Sequence, residues 1–402
     1  MNILLLSSIY PADDIAPTYT PIAHYFAKEW LAAGHNVRVV NSFATFPAAF
    51  YLVAKLIGST ALTSHLGFTV MTSKPKDREF IFEGVPVARF CMPKLLPHRR
   101  YSAKAIERQV HKIRAYCEKS NFTPDAIVGH WLNPQLELIN LLSKIYPKAK
   151  TALTLHEQAK SVKKLYPRDW KSRISSVGKV GARNHIQRER LIKDLGLLEA
   201  DTYLCLSGIP DSFLEGHPSR DFSRAPEKFA FVGTLITRKH PLALLQALLK
   251  SGIKNFKLSY AGSGECEHDI RKFAEQNKVE ESVELLGRLP RKNIRKLLED
   301  SDCFAMVSER EVFGLVYLEA MASGCITIAS RNEGFDGIII DGENGFLCEA
   351  GNSAELAEIF RKMERMKPEE LKRISCAASK TALAMTDKKC AADYLKDALS
   401  PS

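Results

Sequence analysis

The amino-acid sequence predicts an α/β protein in which two doubly wound, parallel sheets follow one another along the chain. Short apolar runs alternate with helical patterns in both halves, as expected of strands that are buried on both faces and connected by helices. A stretch rich in Pro, Gly, Ser and charged residues, 207–228, interrupts this alternation. The length of 402 residues also exceeds the size that one hydrophobic core usually reaches. Two domains are therefore expected.

The first half contains six apolar runs that predict strands: Ile3–Ser7, Val37–Asn41, Val87–Phe90, Ala126–His130, Ala152–Leu155 and Thr202–Leu206. Amphipathic patterns predict three helices in this half, near 21–33, 101–119 and 134–145.

The second half repeats the alternation. Five apolar runs predict strands: Phe229–Val232, Lys257–Tyr260, Val283–Leu286, Cys303–Val307 and Ile326–Ala329. Helical patterns lie near 241–250, 267–277, 290–299, 314–323, 353–365 and 368–384.

These patterns predict a Rossmann-like domain over 1–206, a linker over 207–228, a second Rossmann-like domain over 229–384, and a C-terminal helix in 385–402 that could pack back on the first domain. Two such domains facing across a cleft would bind ligands there, because open α/β sheets bind ligands at the carboxyl ends of their strands.

Charge is distributed unevenly along the chain. The net charge is +11, but residues 1–200 hold 29 Lys and Arg against 15 Asp and Glu, while the remainder is slightly acidic. A basic surface attracts anionic partners. Charge alone leaves anionic lipid, nucleic acid and an anionic substrate as candidates.

The cysteines and the N-terminal residues favour a cytoplasmic location. The nine cysteines are odd in number, form no C-x-x-C pair and lie mostly in apolar stretches, which predicts free, buried thiols in a reducing compartment. The segment MNILLLSSIYP lacks a basic start and has a short apolar run. It predicts a buried strand rather than a secretory signal.

Residues 48–71 are the best candidate for membrane contact. Lys55, His65 and several hydroxyl residues argue against a spanning helix. The segment could lie along a membrane surface, or it could be a partly buried amphipathic helix or loop, because periodicity alone does not separate the two.

The richest chemical pattern is Glu311 and Glu319, eight residues apart in SEREVFGLVYLEAMASG. We expect Glu311 in a strand-to-helix loop, exposed to the ligand, and Glu319 in the second turn of a helix that begins near Phe313–Gly314. The free N–H groups at such a helix start suit a diphosphate. An isolated pair of this spacing is more often a capped helix with surface glutamates.

The surrounding residues resemble retaining glycosyltransferases of the GT-B fold, specifically family four, or glycosyl transferases group 1. Four features match together: Glu311, the F-G-L that follows, Glu319 in L-E-A-M-A-S-G, and D-G-E-N-G-F-L at 341–347. The resemblance implies that Glu311 faces the donor sugar, that Glu319 faces the ribose, and that three backbone N–H groups face the diphosphate, those of Phe313, Gly314 and Leu315.

Upstream segments extend the resemblance. FVGTLITRKH places Gly233 near the donor and sets Arg238 and Lys239 against the diphosphate, where cations stabilise the charge of the departing nucleoside diphosphate. AGSGE matches a G-x-G segment in which Gly262 and Gly264 approach the nucleotide, although G-x-G alone usually marks a tight turn. Arg288 in LGRLP is a candidate neighbour of the base or ribose.

The first half holds weaker candidates for the acceptor side. His130 and His156 each lie at the end of a predicted strand. A single histidine there is more often structural, but His156 in T-L-H matches the family's strand-end histidine near the reacting sugar. Tyr19 and Thr20 lie in the loop after the first strand, where the family usually has glycines.

Eleven basic residues lie between 160 and 193, and HRRYSAK lies at 98–104. Such runs usually form a solvated face, but these could hold an anionic acceptor or lipid headgroups. Nucleic acid is disfavoured as a partner because zinc-finger, RNP-like and helix-turn-helix patterns are missing.

The resemblance therefore implies transfer of a hexose-type sugar, with retention, from a nucleotide diphosphate donor to a glycan or lipid-linked acceptor, in bacterial surface polysaccharide or lipopolysaccharide synthesis. We expect no cofactor or metal requirement, since the sequence shows no Asp-x-Asp motif or His/Cys cluster. The expected location is the cytoplasm, with possible docking at the inner membrane face. Two alternatives remain: a sugar-nucleotide epimerase of the same architecture and a non-catalytic polyanion- or lipid-binding protein.

Overall fold

The computed structural model describes residues 1–15, 21–58, 70–97, 99–213 and 220–400. The chain divides into two compact units. The first unit comprises 1–183, 187–205 and 391–402, and the second comprises 184–186 and 206–390.

The first unit is built on a sheet in the order β3-β4-β2-β1-β5-β6-β7-β8. Its strands are β1 (Asn2–Ser7), β2 (Asn36–Thr45), β3 (Arg78–Phe82), β4 (Val85–Pro93), β5 (Ala126–His130), β6 (Lys150–Thr154), β7 (Lys179–Ala182) and β8 (Thr202–Leu204).

All neighbouring pairs of this sheet are parallel except β3 and β4, which form an antiparallel hairpin at one edge. The parallel strands are mainly apolar because helices cover both faces. The edge strand β3 alternates in exposure, as expected of a strand with one face in solvent.

The helices of the first unit are α1 (Ile22–Ala32), α2 (Ala48–Ile57), α3 (Ala103–Lys119), α4 (Gln135–Ile145), α5 (Ala159–Leu165), α6 (Trp170–Ser175), α7 (His185–Leu195) and α14 (Asp387–Leu399). The first residues of α7 and α14 fall in the second unit. The hydroxyl of Ser102 caps α3 by accepting the N–H of Ala105.

The second unit contains a six-stranded, all-parallel sheet in the order β11-β10-β9-β12-β13-β14. Its strands are β9 (Lys228–Val232), β10 (Lys257–Ala261), β11 (Val283–Leu285), β12 (Cys303–Ala305), β13 (Ile326–Ser330) and β14 (Phe346–Cys348). The strand order reverses between β9 and β12.

The helices of the second unit are α8 (Pro241–Ser251), α9 (Glu267–Gln276), α10 (Arg291–Glu299), α11 (Leu315–Ala322), α12 (Ser353–Arg365) and α13 (Pro368–Leu383). Proline at the first position of α8 and α13 fits the orphan N–H groups of a helix start. Gly252 ends α8 with φ +88°, a conformation that glycine adopts readily.

The predicted fold class is confirmed: both units contain a Rossmann-like parallel sheet with helices between the strands. All eleven predicted strands and nine predicted helices form, most of them with shifted ends. The structure adds β3, β7 and β14, and corrects the first sheet from wholly parallel to parallel with one antiparallel edge strand.

The C-terminal residues of the chain complete the first unit. Trp30 is buried, and its indole Nε1 donates to the carbonyl oxygen of Ala391 at 2.9 Å. The ring of Tyr394 packs edge-on against Trp30 and lies 5.6 Å from the ring of His130. Residues from both ends of the chain therefore share one aromatic cluster.

The nine cysteines are free thiols, as predicted; six are buried, and Cys91, Cys266 and Cys376 are partly buried. In the described part of the chain, every helix is too short or too polar to span a bilayer.

Candidate functional site

The candidate site of the second unit lies in loops that follow β9, β10 and β12. The carboxyl ends of parallel strands meet at one edge of a sheet, and the point where strand order reverses opens a crevice there. Gly233 follows β9, Gly262 follows β10, and Glu311 follows β12. Residues that were predicted to bind the sugar donor, from three segments of the chain, are thus placed at the carboxyl ends of the strands. This is where sheets of this type bind ligands.

Glu311 lies among cations. Its carboxylate Oε2 is 3.6 Å from Nζ of Lys239 and 4.0 Å from a guanidinium nitrogen of Arg238. Oε2 is buried and has no hydrogen-bond partner among the described residues. The side chain is only 14% exposed, which corrects the expectation of an exposed glutamate. A buried acceptor held next to two cations is suited to a ligand that supplies a donor.

Lys239 is itself largely buried. Desolvation lowers its pKa, and the neighbouring Arg238 charge also lowers it, while Glu311 acts in the opposite direction. Its Nζ lies 3.7 Å from the sulfur of Met306. The ammonium therefore has one carboxylate neighbour and remaining capacity to donate, which suits an incoming anion.

The backbone around Glu311 is held by contacts that the sequence did not indicate. The N–H of Glu311 donates to Oε2 of Glu333 at 2.9 Å. A Cβ atom on Gly334 would lie 2.6 Å from the carbonyl oxygen of Glu311, so this neighbour must be glycine. Glu333 and Gly334 belong to the loop EGFDGII, residues 333–339.

The start of α11 follows closely. Gly314 adopts φ +82° at the N-cap, and a Cβ there would lie 2.5 Å from the ring of Tyr317. Phe313 is 4% exposed and packs against the ring of Phe335. Leu315 is the first helical residue and Glu319 lies in the second turn, as predicted.

The predicted glycines also have a packing role. A Cβ on Gly262 would lie 1.9 Å from the carbonyl oxygen of Gly233, and one on Gly264 would lie 2.3 Å from that of Leu235. The N–H of Gly262 donates to the carbonyl of Gly287 at 2.7 Å. At these glycines, the loops after β9 and β10 therefore approach each other backbone to backbone. Approach of a nucleotide to these glycines stays a prediction.

Glu319 is engaged in an ion pair. Its Oε1 accepts from Nε of Arg291 at 3.0 Å and from a terminal nitrogen at 2.7 Å. Burial raises the pKa of Glu319, and Arg291 opposes the rise. Arg291 also stacks on Phe213, 5.1 Å from its ring centre. The nearby Arg288 donates from Nε to the hydroxyl of Ser263 at 3.1 Å. The ribose and base roles of Glu319 and Arg288 stay predictions.

In the first unit, His130 and His156 form a pair. Nδ1 of His130 and Nε2 of His156 are 3.1 Å apart. His130 is fully buried, whereas His156 is partly exposed and stacks on Trp131 with ring centres 4.2 Å apart. Desolvation lowers the pKa of both rings, and the positive charge of Arg183 lowers it further. An acceptor could reach His130 only if the covering residues moved.

The other acceptor-side candidates, Tyr19 and Thr20, lie outside the described residues. The preceding turn is fixed by ion pairs: Asp14 accepts from both terminal nitrogens of Arg89 at 2.7 and 2.8 Å, and Asp13 accepts from Arg78 at 3.0 Å. Arg89 is 1% exposed. These ion pairs attach the loop after β1 to β3 and β4. No pattern in the sequence of the loop predicted them.

The chemistry of the second-unit site suits a negatively charged ligand with hydroxyl groups. Two cations and a helix start favour phosphate, and a buried carboxylate accepts hydrogen bonds from hydroxyls. Within the described residues, no cluster of three or more His, Cys, Asp or Glu side chains could hold a metal ion.

Comparison with known proteins agrees with this chemistry. Residues 215–381, less than half of the chain, match the family described as glycosyl transferases group 1. A relative in Bacillus subtilis named putative glycosyltransferase EpsD is 36% identical over 143 residues, which cover 35% of this chain and 36% of that protein. The chain thus spans about a third of the length of such curated relatives.

Solved structures resemble the whole chain. The apo lipopolysaccharide outer core galactosyltransferase WaaB has a TM-score of 0.69 at 14% identity, with 99% of both chains covered. Anabaena Alr3699/HepE in complex with UDP and glucose has a TM-score of 0.64 at 17% identity, with 98% of both chains covered. The chain therefore has the GT-B fold, and its residues 215–381 are similar in sequence to glycosyl transferases group 1.

Proposed function

We propose that this protein is a retaining glycosyltransferase that moves a hexose-type sugar from a nucleotide diphosphate donor to a glycan or lipid-linked acceptor. One observation carries the proposal: the buried Oε2 of Glu311 lies within 4.0 Å of two cations, next to the start of α11. The sequence match of residues 215–381 supports it.

The donor would bind with its diphosphate against Arg238 and Lys239 and with a sugar hydroxyl donating to Glu311. The bond between the anomeric carbon and the phosphate oxygen breaks, and the electron pair stays on the leaving nucleoside diphosphate. The cations stabilise the charge that develops there, and such preorganised stabilisation is usually the largest contribution to catalysis.

The acceptor oxygen then bonds to the anomeric carbon from the face that the diphosphate leaves. The acceptor hydroxyl's proton passes to the departing phosphate oxygen, so the reaction is balanced without a protein base. The protein contributes positioning and electrostatics rather than a covalent intermediate. His156, partly exposed and held by His130 and Trp131, stays a proposed catalytic residue.

Two structurally similar proteins support the proposed partners. HepE is described in complex with UDP and glucose, and WaaB is named a galactosyltransferase of the lipopolysaccharide outer core. We infer a UDP-hexose donor and an acceptor in bacterial surface polysaccharide or lipopolysaccharide synthesis, on the cytoplasmic side of the membrane. No cofactor or metal is proposed.

The test is incubation of the purified protein with a panel of nucleotide sugars, with and without membrane extract as acceptor. Release of nucleoside diphosphate that rises with extract supports the transferase, and proton NMR of the product reports the anomeric configuration. Activity that survives a chelator supports the metal-free mechanism. An epimerised donor would support the disfavoured epimerase, and no turnover with any donor would support a non-catalytic protein.

A further inference from the structure

An exposed apolar patch lies on the first unit. α2 carries four large apolar side chains that face solvent: Leu52, Val53, Leu56 and Ile57, which are 62, 44, 79 and 59% exposed. At 3.6 residues per turn, their positions span an arc of about 140° on one side of the helix. The opposite side, with Tyr51 and Ala54, is buried. The helix therefore carries apolar side chains on two sides, of which one faces the core and the other faces solvent.

A second segment adds to this patch. Leu95 and Leu96, 84 and 59% exposed, follow the end of β4. The strands β2 and β4 pair up to Thr45 and Pro93, and the N–H of Lys94 donates to the carbonyl of Thr45 at 2.8 Å. α2 begins three residues after that point. Both apolar segments thus follow the carboxyl ends of two paired strands, β2 and β4, at the same end of the sheet.

The chain around the patch is free of acidic residues. No Asp or Glu occurs between Glu29 and Asp77, or between Glu83 and Glu107. Lys55 on α2, with Arg99 and Lys104 after Leu96, is exposed and forms no ion pair with a described residue. In the sequence, the charged residues that flank these apolar side chains are therefore basic.

The ring of Tyr166 connects Arg100, next to the patch, with further basic residues. The guanidinium groups of Arg100 and Arg173 lie 4.5 and 5.1 Å from its ring centre, and both pair with Glu137. This contact joins the 99–104 segment to α5 and α6. There Lys163 and Lys171, both exposed, flank the ring of Trp170 at 5.2 and 5.6 Å. The basic border of the patch therefore extends onto two more helices.

We propose that this surface, made of α2, Leu95 and Leu96 and bordered by these cations, docks the protein on an anionic lipid bilayer. Apolar side chains on a short helix enter the interfacial region while basic residues meet the headgroups. Exposed apolar side chains next to unpaired basic residues match the two parts of such a surface, acyl chains and anionic headgroups. The inference does not rest on the proposed function, since binding is measured without turnover.

The experiment is flotation of the full chain with vesicles of phosphatidylcholine mixed with phosphatidylglycerol, and with vesicles of phosphatidylcholine alone. Binding should require the anionic lipid and weaken with salt. The double variant Leu52→Glu/Leu56→Glu should lower partitioning by about tenfold or more. Lys163→Gln/Lys171→Gln should weaken binding and reduce its salt dependence.

The matched control is Leu198→Glu, which alters an equally exposed leucine (69%) elsewhere on the first unit and should bind as the unaltered protein does. Circular dichroism checks the fold of each variant. Equal binding to both vesicle types, or full binding by the double variant, overturns the proposal. So does light scattering that shows a dimer dissociated by Leu52→Glu/Leu56→Glu, because the patch would then bind a second copy.

Discussion

The carboxylate of Glu311 and the ammonium of Lys239 lie 3.6 Å apart, and both side chains are about 15% exposed. This is longer than a direct hydrogen bond, although both groups are largely removed from water. Burying a loosely paired charge is unfavourable unless other groups complete its environment. The pair is therefore better suited to binding a ligand than to stabilising the fold.

Glu311→Gln is expected to reduce kcat for sugar transfer about 10²- to 10³-fold, because an amide cannot give the charged acceptor that the proposed donor complex uses. Steady-state kinetics with the preferred donor measures this, and the thermal midpoint should change little. Glu309→Gln, two residues away and half exposed beside His240, is the matched control. Equal kinetics for the two variants would remove Glu311 from the proposed mechanism.

Lys239→Met is expected to weaken nucleoside diphosphate binding about tenfold to a hundredfold, as for loss of one or two charge-assisted hydrogen bonds. Because burial lowers the pKa of Lys239, its charge is lost at a lower pH than that of an ordinary lysine. Affinity in the unaltered protein should therefore fall as pH rises through this lowered value.

Calorimetric titration at neutral and alkaline pH measures both effects. Lys239→Met should lack the alkaline fall in affinity, whereas Lys254→Met, an exposed lysine of the same unit, should keep it. An alkaline fall that persists in Lys239→Met would assign the titration to another group.

Gly262→Ala is expected to destabilise the second unit by about 2–4 kcal/mol, because the new methyl group would overlap the carbonyl of Gly233 and the backbone φ is +153°. Gly287→Ala is the control: its φ is also positive, but open space surrounds the added methyl, so about 1–2 kcal/mol is expected. Denaturant unfolding compares them. Equal losses would show that backbone conformation, rather than the close approach of the two loops, requires glycine at 262.

The buried histidine pair should make the first unit sensitive to acid. Both rings have a pKa below the ordinary value, so the unfolded chain binds more protons and stability falls as pH drops below about 6.5. His130→Gln should lose less stability between about pH 7.5 and pH 5.5 than the unaltered protein does. His268→Gln, at an exposed position, should behave like the unaltered protein in denaturant melts at both pH values.

Most of the strands that the sequence predicted are buried on both faces, where a continuous apolar run is the signal, although β11 is only partly buried and β14, which is buried, was missed because it has three residues. The strands that it missed carry weaker signals: Arg78–Phe82 is an edge strand with charged residues, and Lys179–Ala182 contains only two apolar side chains beside Gly181. The short helices α5 and α6 were missed because basic residues dominate them, so an apolar periodicity is not visible.

The candidate site was predictable where a motif is contiguous, as at Glu311, Gly314 and Glu319. Its supporting contacts were not. Glu333 reaches the backbone of Glu311 from 22 residues away, and Arg291 pairs with Glu319 across 28 residues. Such partners depend on how the loops pack, which local patterns do not encode. The burial of Glu311 is a result of the same packing.

The hydrogen bond from Trp30 to Ala391 has a consequence for biosynthesis. The two residues are 361 positions apart, and a ribosome adds residues at about 5–20 per second. The domain that is translated first therefore waits until residues 206–390 have been made before its aromatic cluster is complete. During that interval the indole of Trp30 lacks the contacts that Ala391 and Tyr394 supply in the folded protein.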